Sequence, residues 1–314
     1  MDKPVPEVGI SKNRDAPMMD QKTIIMRSAL SVAEETGSDR LFIFLDTVRD
    51  CRWFLKSKFS KEKGIALVIP KSLRVQETVL RDTGTEVIRT WSGNQSRFSR
   101  IKYAFLHGVL KKIIKTDSKV VCVLGPWGRS HLDTITLHNL ALSWSEDFPF
   151  DPRSLIANAA FTTVMAVVDI ALDIGALGRE GHSVGTTFVI GDTENVLRSS
   201  HQAVFNPFKG YSKRERVITR PEVVESIKEL AKLDGAFVVS EAGVLEAAGR
   251  HLDARSVMTR QLRGLGSRHR AAAGISRMTG AISVVVSEST GRVTIFEKGH
   301  IISTLEPVIS NRLA

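Results

Sequence analysis

Between Lys22 and about Ser145 short apolar runs alternate with amphipathic segments, and this alternation restricts the possible folds more than any other feature of the chain. Leu41–Leu45, Ile65–Ile69 and Val120–Leu124 are continuous apolar runs of buried-strand length, and Glu86–Thr90 reads as a further strand. Around them, Gln21–Thr36, Val48–Phe59, a segment capped by Ser72 and running to Asp82, and Arg97–Lys115 carry helical spacing. Strands buried on both faces and separated by helices predict a parallel sheet covered on both sides. The expectation for residues 21–150 is therefore a three-layer parallel-sheet α/β domain.

The texture changes at Glu146–Pro152, where two prolines and three acidic residues fall within seven positions and mark a linker. An Ala- and Val-rich helix is expected from Ser154 to Ile174, with Gly175 and Gly178 just past its end. The remainder, within 151–314, reads as a second α/β domain. Strand Gly185–Gly191 leads into a loop through Asn206-Pro207-Phe208, then helix Glu222–Lys232. Asp234–Ser240 and Val244–Ala248 form paired strands, Ser267–Met278 a helix, and Ala281–Ser287 with Arg292–Glu297 a hairpin turning at Ser289-Thr290-Gly291.

The net charge of +10 invites a nucleic-acid reading, so its location matters. Residues 1–150 hold 24 Lys and Arg against 17 Asp and Glu; residues 151–314 hold 20 against 17. The excess lies mainly in the front half, partly in the run from Arg49 to Lys63 that interleaves Trp53, Phe54 and Phe59. Its structural reading is an amphipathic helix with a solvated basic face. Aromatic residues make up only 6% of the chain, and no nucleic-acid motif is present. No segment reaches the length of a membrane span, residues 1–20 read as a disordered lead-in, and two isolated cysteines fit a reducing, cytoplasmic setting.

Two short motifs carry the chemistry. Asp234-Gly235-Ala236 puts a carboxylate beside a residue with no side chain; Gly266-Ser267-Arg268-His269-Arg270-Ala271-Ala272 gathers a hydroxyl, two guanidiniums and an imidazole at the start of a helix. Taken alone, Asp-Gly is a turn and Arg-His-Arg a surface cluster. Yet cations at a helix N-terminus oppose its dipole by ~0.3–1 kcal/mol each, which favours an anionic partner there. Arg268 and Arg270 offer planar forks for phosphate oxygens, and Gly266 and Ser267 offer backbone N–H groups. A carboxylate at Asp234 facing this cationic cluster, His269 included, is what handling a nucleoside triphosphate requires. Gly235 and Ala236 leave room beside the backbone for a nucleotide.

The order, spacing and flanks of these motifs resemble the diadenylate cyclase (DisA N-terminal domain) family over roughly Leu155–Thr304. The matching segments are Gly178-Arg-Glu-Gly181, Gly185–Asp192, Asp234-Gly235-Ala236, Ala247–Leu252, Gly266–Ala272 and Val286–Gly291. The resemblance implies a mixed central sheet and an enzyme that condenses two ATP into cyclic di-AMP, using Mn²⁺ or Mg²⁺. It makes Leu252 the base-facing residue, adds Ala271, Ser287 and Glu288 to the ATP site, and pairs Glu288 with Asp234 as metal ligands. Ser267 stands where the family usually has Thr, and Ser289 where it usually has a second Glu. Because one domain would hold one ATP, the reaction implies a homo-oligomer with two sites face to face. The front half resembles the C-terminal domain of pyruvate kinase in pattern, including the loop Gly125-Pro126-Trp127-Gly128 with Arg129, Ser130 and His131 after its last strand. The competing readings are a catalytically inactive ATP or cyclic-dinucleotide sensor and a nucleic-acid-binding protein.

Overall fold

The computed structural model describes residues 20–74, 84–143, 161–179, 182–254 and 264–308. The lead-in before Asp20, all but the start of the Ser72–Asp82 helix, the linker at 146–152, the Ser154 cap, and Glu180 and Gly181 lie outside the described residues.

In the front half, β1 (Arg40–Phe44), β2 (Ile65–Pro70), β3 (Glu86–Thr90) and β4 (Lys119–Leu124) form a sheet in the order β3-β2-β1-β4 with every pair parallel. An unforeseen strand, β5 (Thr134–Asn139), adds antiparallel to β4 at the edge. Only His138 of β5 is buried, so the strand leaves no continuous apolar run for a sequence reading to find. Helices α1 (Gln21–Glu35) and α2 (Val48–Lys56) cover one face: Met26, Ala29 and Phe54 pack with Leu41, Ile43 and Leu67. Helix α3 (Arg97–Leu110) covers the other, where Ile101, Ala104 and Phe105 pack with Phe42, Phe44 and Val68. The period-two alternation of strand side chains divides β1 between these two layers.

Two helices stop earlier than their periodicity suggests. The α2 helix ends where Ser57 turns to extended backbone and donates its hydroxyl to the Phe54 carbonyl at 2.6 Å; a 3₁₀ turn, Lys58–Lys61, carries the chain on. Just beyond α3, Lys112 takes a left-handed φ of 56°, a conformation that cannot continue a helix. Around the basic run the cations Arg49, Arg52, Lys56, Lys58, Lys61 and Lys63 are all exposed, whereas Phe54 and Phe59 are buried. The cations form a solvated basic face, and Trp53 is half-buried beside Phe59 and under the Lys22 ammonium.

The rear sheet has seven strands: β6 (Thr186–Ile190), β7 (Ser200–Gln202), β8 (Ala236–Val239), β9 (Leu245–Leu252), β10 (Ile282–Val286), β11 (Val293–Glu297) and β12 (His300–Leu305). Their order is β12-β11-β10-β6-β8-β9-β7. Only β6 and β8 pair in parallel, so the sheet is mixed. The short β7 and the final β12 were not foreseen, and neither was the six-residue helix α5 (Thr193–Arg198); the helix expected at Glu222–Lys232 is α6 (Pro221–Leu230).

Helix α4 (Phe161–Leu177) explains how the two sheets meet. It is apolar on nearly every side, the pattern of a helix buried all round. Val164, Val167, Val168, Ala171 and Leu172 are fully buried, in a single core that takes in Trp91, Tyr103 and Leu106 of the front half together with Phe188, Phe237 and Val284 of the rear sheet. Gly175, expected beyond the helix end, lies inside it, and Gly178 supplies the left-handed residue after its last turn. In the same interface the His107 ring stacks on Tyr103 at 4.8 Å. Burial and the charges of Lys71 and Lys111 push the His107 pKa down to about 3. The unfolded chain then binds a proton below about pH 6.5 that the folded chain refuses, so this residue costs stability as pH falls from there towards 3. His107→Gln is expected to remove about 2 kcal/mol of the stability loss between pH 7 and pH 5, measured by denaturant titration at each pH.

Candidate active site

Strand direction gathers the motif residues at one edge of the rear sheet. Parallel β6 and β8 both begin there, with Thr187 opposite Ala236. Antiparallel β10 ends there, with Val286 opposite Thr186. Gly185, Asp234-Gly235 and Ser287-Glu288 are thereby brought to the same rim although more than a hundred residues separate the outermost. Helix α7 (Ser267–Met278) packs against β10 and β11 through a buried face that includes Ala272, Ala273 and Ile275. Its first turn faces this rim: Arg268 Nη1 lies 2.9 Å from Glu288 Oε2, and Arg268 Nη2 lies 3.7 Å from Asp234 Oδ1. The N-cap is Gly266, which has no side chain to satisfy the first N–H groups of the helix.

Arg268 is the hinge of three adjoining clefts. The first is lined by Asp234, Gly235, Ala236, Leu252, Ser267, Arg268 and Ala271, with Thr187, Ala203, Arg250 and His251 completing its walls. The second runs past Gly266, Ser267, Arg268 and His269 to Ser287, Glu288 and Ser289. A third joins Arg268 and Glu288 to Gly185, Arg179 and His182. An apolar wall at Leu252 and Ala236 thus lies on one side of the guanidinium, and a helix N-terminus with hydroxyls on the other. Chemically this suits a ligand with a flat apolar end and an anionic chain.

The singled-out residues do not all face the clefts alike. The Asp234 side chain is 89% exposed and Glu288 62%, so both carboxylates are free to meet a ligand. Arg270 instead donates Nη1 to the Leu265 carbonyl at 2.7 Å, bracing the loop that precedes α7. His269 is 7% exposed and sits edge-on to Phe296, with 6.1 Å between ring centres. Burial, and then the nearby Arg292, hold its pKa below the ordinary imidazole value, so the ring is neutral at pH 7.

The backbone of Gly235 has φ +107°, and a Cβ there would stand 2.6 Å from the Gly249 carbonyl carbon. Its lack of a side chain is demanded by the close approach to β9 as well as by the cleft. Gly235→Ala is expected to cost about 1–3 kcal/mol of folding stability, read from a chemical denaturation curve. Sequence reasoning did not pick out Thr187, Arg250, His251 or the steric role of Gly185. A Cβ on Gly185 would fall 2.8 Å from Glu288 Cβ and 3.0 Å from Arg268 Nη1, so this glycine gives the ion pair its space.

Among the described residues no group of three or more His, Cys, Asp or Glu is placed to hold a metal ion. Asp234 and Glu288, both turned to Arg268, still suit a hard divalent cation that completes its shell with water and substrate phosphates, the usual manner of Mg²⁺. No helix among the described residues is long and apolar enough to cross a membrane.

A mixed α/β sheet that brings two carboxylates, a guanidinium and an uncapped helix N-terminus to one open rim suits a nucleotidyltransferase-type enzyme. Residues 173–301 match the family described as DisA bacterial checkpoint controller nucleotide-binding. The diadenylate cyclase of Methanocaldococcus jannaschii is 32% identical over 301 residues, 90% of this chain and 96% of its own. The diadenylate cyclase of Haloferax volcanii is 29% identical over 258 residues, 78% of this chain and 93% of its own. The chain belongs to the diadenylate cyclase family. Among solved structures, a double mutant of DacA from Staphylococcus aureus is 22% identical, with a TM-score of 0.29 over 48% of this chain and 89% of its own. A hypothetical membrane-spanning protein from Bacillus cereus is 20% identical, with a TM-score of 0.34 over 52% and 79%.

Proposed function

We propose that the protein condenses two molecules of ATP into 3′,5′-linked cyclic di-AMP with release of two pyrophosphates. The observation that carries this reading is the convergence of Asp234, Arg268 and Glu288 on one rim, between an apolar wall and a bare helix N-terminus. Adenine would lie against Leu252 and Ala236, and the triphosphate would run past Arg268 to Gly266 and Ser267. The 3′-oxygen of one ATP attacks the α-phosphorus of the other, the bond to the β-phosphate oxygen breaks, and pyrophosphate departs with its electron pair. Asp234 takes or weakens the proton of the 3′-hydroxyl, while Arg268 receives the charge that builds on the phosphate oxygens. Asp234 and Glu288 would hold a Mn²⁺ or Mg²⁺ ion, whose chemistry is to neutralise phosphate charge and acidify the hydroxyl. His269, neutral and packed on Phe296, would shape the phosphate wall, and Arg270 would hold the loop before α7.

The adjoining clefts around Arg268 together serve one ATP in this reading, so the two reacting ends would come from two protomers related by a two-fold axis. Residues 151–314 form the catalytic unit in this reading, and residues 21–150 the unit that supports it. Incubating the purified protein with ATP and either metal, and resolving the nucleotides by chromatography, tests the assignment. Cyclic di-AMP is the expected product. ATP bound but unconverted with both metals would instead favour a sensor, in which Ser289 in place of a second carboxylate marks a lost metal site.

A further inference from the structure

Helix α4 carries only two charged residues along its length, Asp169 and Asp173, and the front half reaches for both. The Tyr103 hydroxyl of α3 donates to Asp169, and the Lys71 ammonium, just after β2, pairs with the same carboxylate. Trp91 Nε1, just after β3, donates to Asp173 at 2.7 Å, and Lys228 holds the other oxygen of that carboxylate at 3.1 Å. Lys71, Asp169 and Asp173 line an open cleft beside the helix, while Tyr103 and Trp91, which donate to the two carboxylates, are themselves buried in the core shared by the two halves, so the helix is held by specific partners on one side and by close packing on the other.

The far end of the same helix touches the catalytic rim. A Cβ on Gly175 would lie 2.1 Å from the Gly291 carbonyl oxygen, and one on Gly291 would lie 2.3 Å from the Gly175 carbonyl oxygen. Two backbones are therefore in direct contact, with no side chain between them to take up movement. Gly291 closes the turn that carries Glu288: its N–H donates to the Ser287 carbonyl at 2.8 Å, and the Ser287 N–H donates to the Arg292 carbonyl at 2.9 Å. The other flank of this turn is tied to the front half as well. Arg292 pairs with Glu306 at 2.7 Å, and the Glu306 N–H donates to Ser99 of α3 at 2.8 Å.

We infer that the front half positions Glu288, with α4 as the rigid link: Tyr103 and Lys71 fix Asp169, and Gly175 then seats the turn that presents the carboxylate to Arg268. Tyr103, Asp169 and Gly175 are positioning residues, since none touches the clefts where substrate would bind. The catalytic consequence rests on the cyclase reading; the seating of the turn does not. A shared element whose position both ends determine is the physical requirement for such coupling, and it is testable directly.

The test compares the full-length protein with the Tyr103→Phe/Asp169→Asn double variant and, from the opposite end, with Gly175→Ala. Hydrogen–deuterium exchange of a peptide spanning 287–292 is followed alongside steady-state kinetics and a melting curve. Both variants are expected to exchange faster at this turn while the β6–β8 core stays protected. Misplacing a catalytic group by a fraction of an ångström should lower kcat about tenfold, with KM for ATP within about twofold because the adenine wall is untouched. Should the double variant fail to fold, Gly175→Ala carries the same expectation. Unchanged exchange at 287–292 in a folded variant overturns the inference, even if turnover falls. If the wild-type protein makes no cyclic di-AMP, the cyclase reading fails, yet the exchange result still decides whether the front half seats the turn.

Discussion

Asp234→Asn is expected to lower the rate of cyclic di-AMP formation by about 10²–10⁴ while leaving the fold and ATP affinity nearly unchanged. The side chain is 89% exposed, and its ion-pair contact among the described residues is the 3.7 Å approach to Arg268. Asparagine has the same shape and fills the same space, so neither the cleft nor the turn before β8 is disturbed. What it cannot do is accept the proton of a 3′-hydroxyl or add negative charge to a metal site. Fluorescence titration with a non-hydrolysable ATP analogue should give a dissociation constant within a few-fold of wild type, whereas product formation over hours should be close to background. If the variant turns over at a near-wild-type rate, Asp234 is only the turn residue that Asp-Gly usually marks.

Most of what makes this site was legible in the sequence because it lies in contiguous motifs. Asp234-Gly235-Ala236 opens a strand and Gly266–Ala272 opens a helix, and in both the local conformation aims the functional groups. The two-layer coverage of β1 was legible too, because Leu41 to Leu45 is apolar without interruption, as a strand buried on both sides must be. What could not be read is what depends on contacts between distant segments. Gly185 gave no local sign that a Cβ would meet Glu288, and Gly175 looked like a helix terminator because its partner, Gly291, is over a hundred residues away. Likewise Arg270 looked equivalent to Arg268, yet rotation by two residues around a helix turns it from the rim to the Leu265 carbonyl. β5 and β7 are edge strands whose sparse burial leaves a weak apolar signature.

The second large effect is expected at Arg268. Removing the guanidinium with Arg268→Ala should reduce kcat by about 10²–10³, the usual cost of losing one preorganised donor to developing charge. Arg268→Lys should recover part of this, since it restores the charge but not the planar fork that addresses two oxygens together. The ion-pair geometry adds a further expectation. Arg268 reaches Glu288 at 2.9 Å and Asp234 at 3.7 Å, so it is the cation that stands beside both carboxylates that would hold the metal. In the alanine variant those carboxylates meet the triphosphate without this cation beside them, which raises the demand for a divalent ion. Apparent Mn²⁺ affinity in the presence of ATP analogue should therefore be maintained or increased even as turnover collapses. A variant that loses metal affinity in proportion to its rate would mean that Arg268 serves chiefly to orient the carboxylates. Retained metal affinity with lost turnover is the pattern of a residue that grips the phosphates themselves.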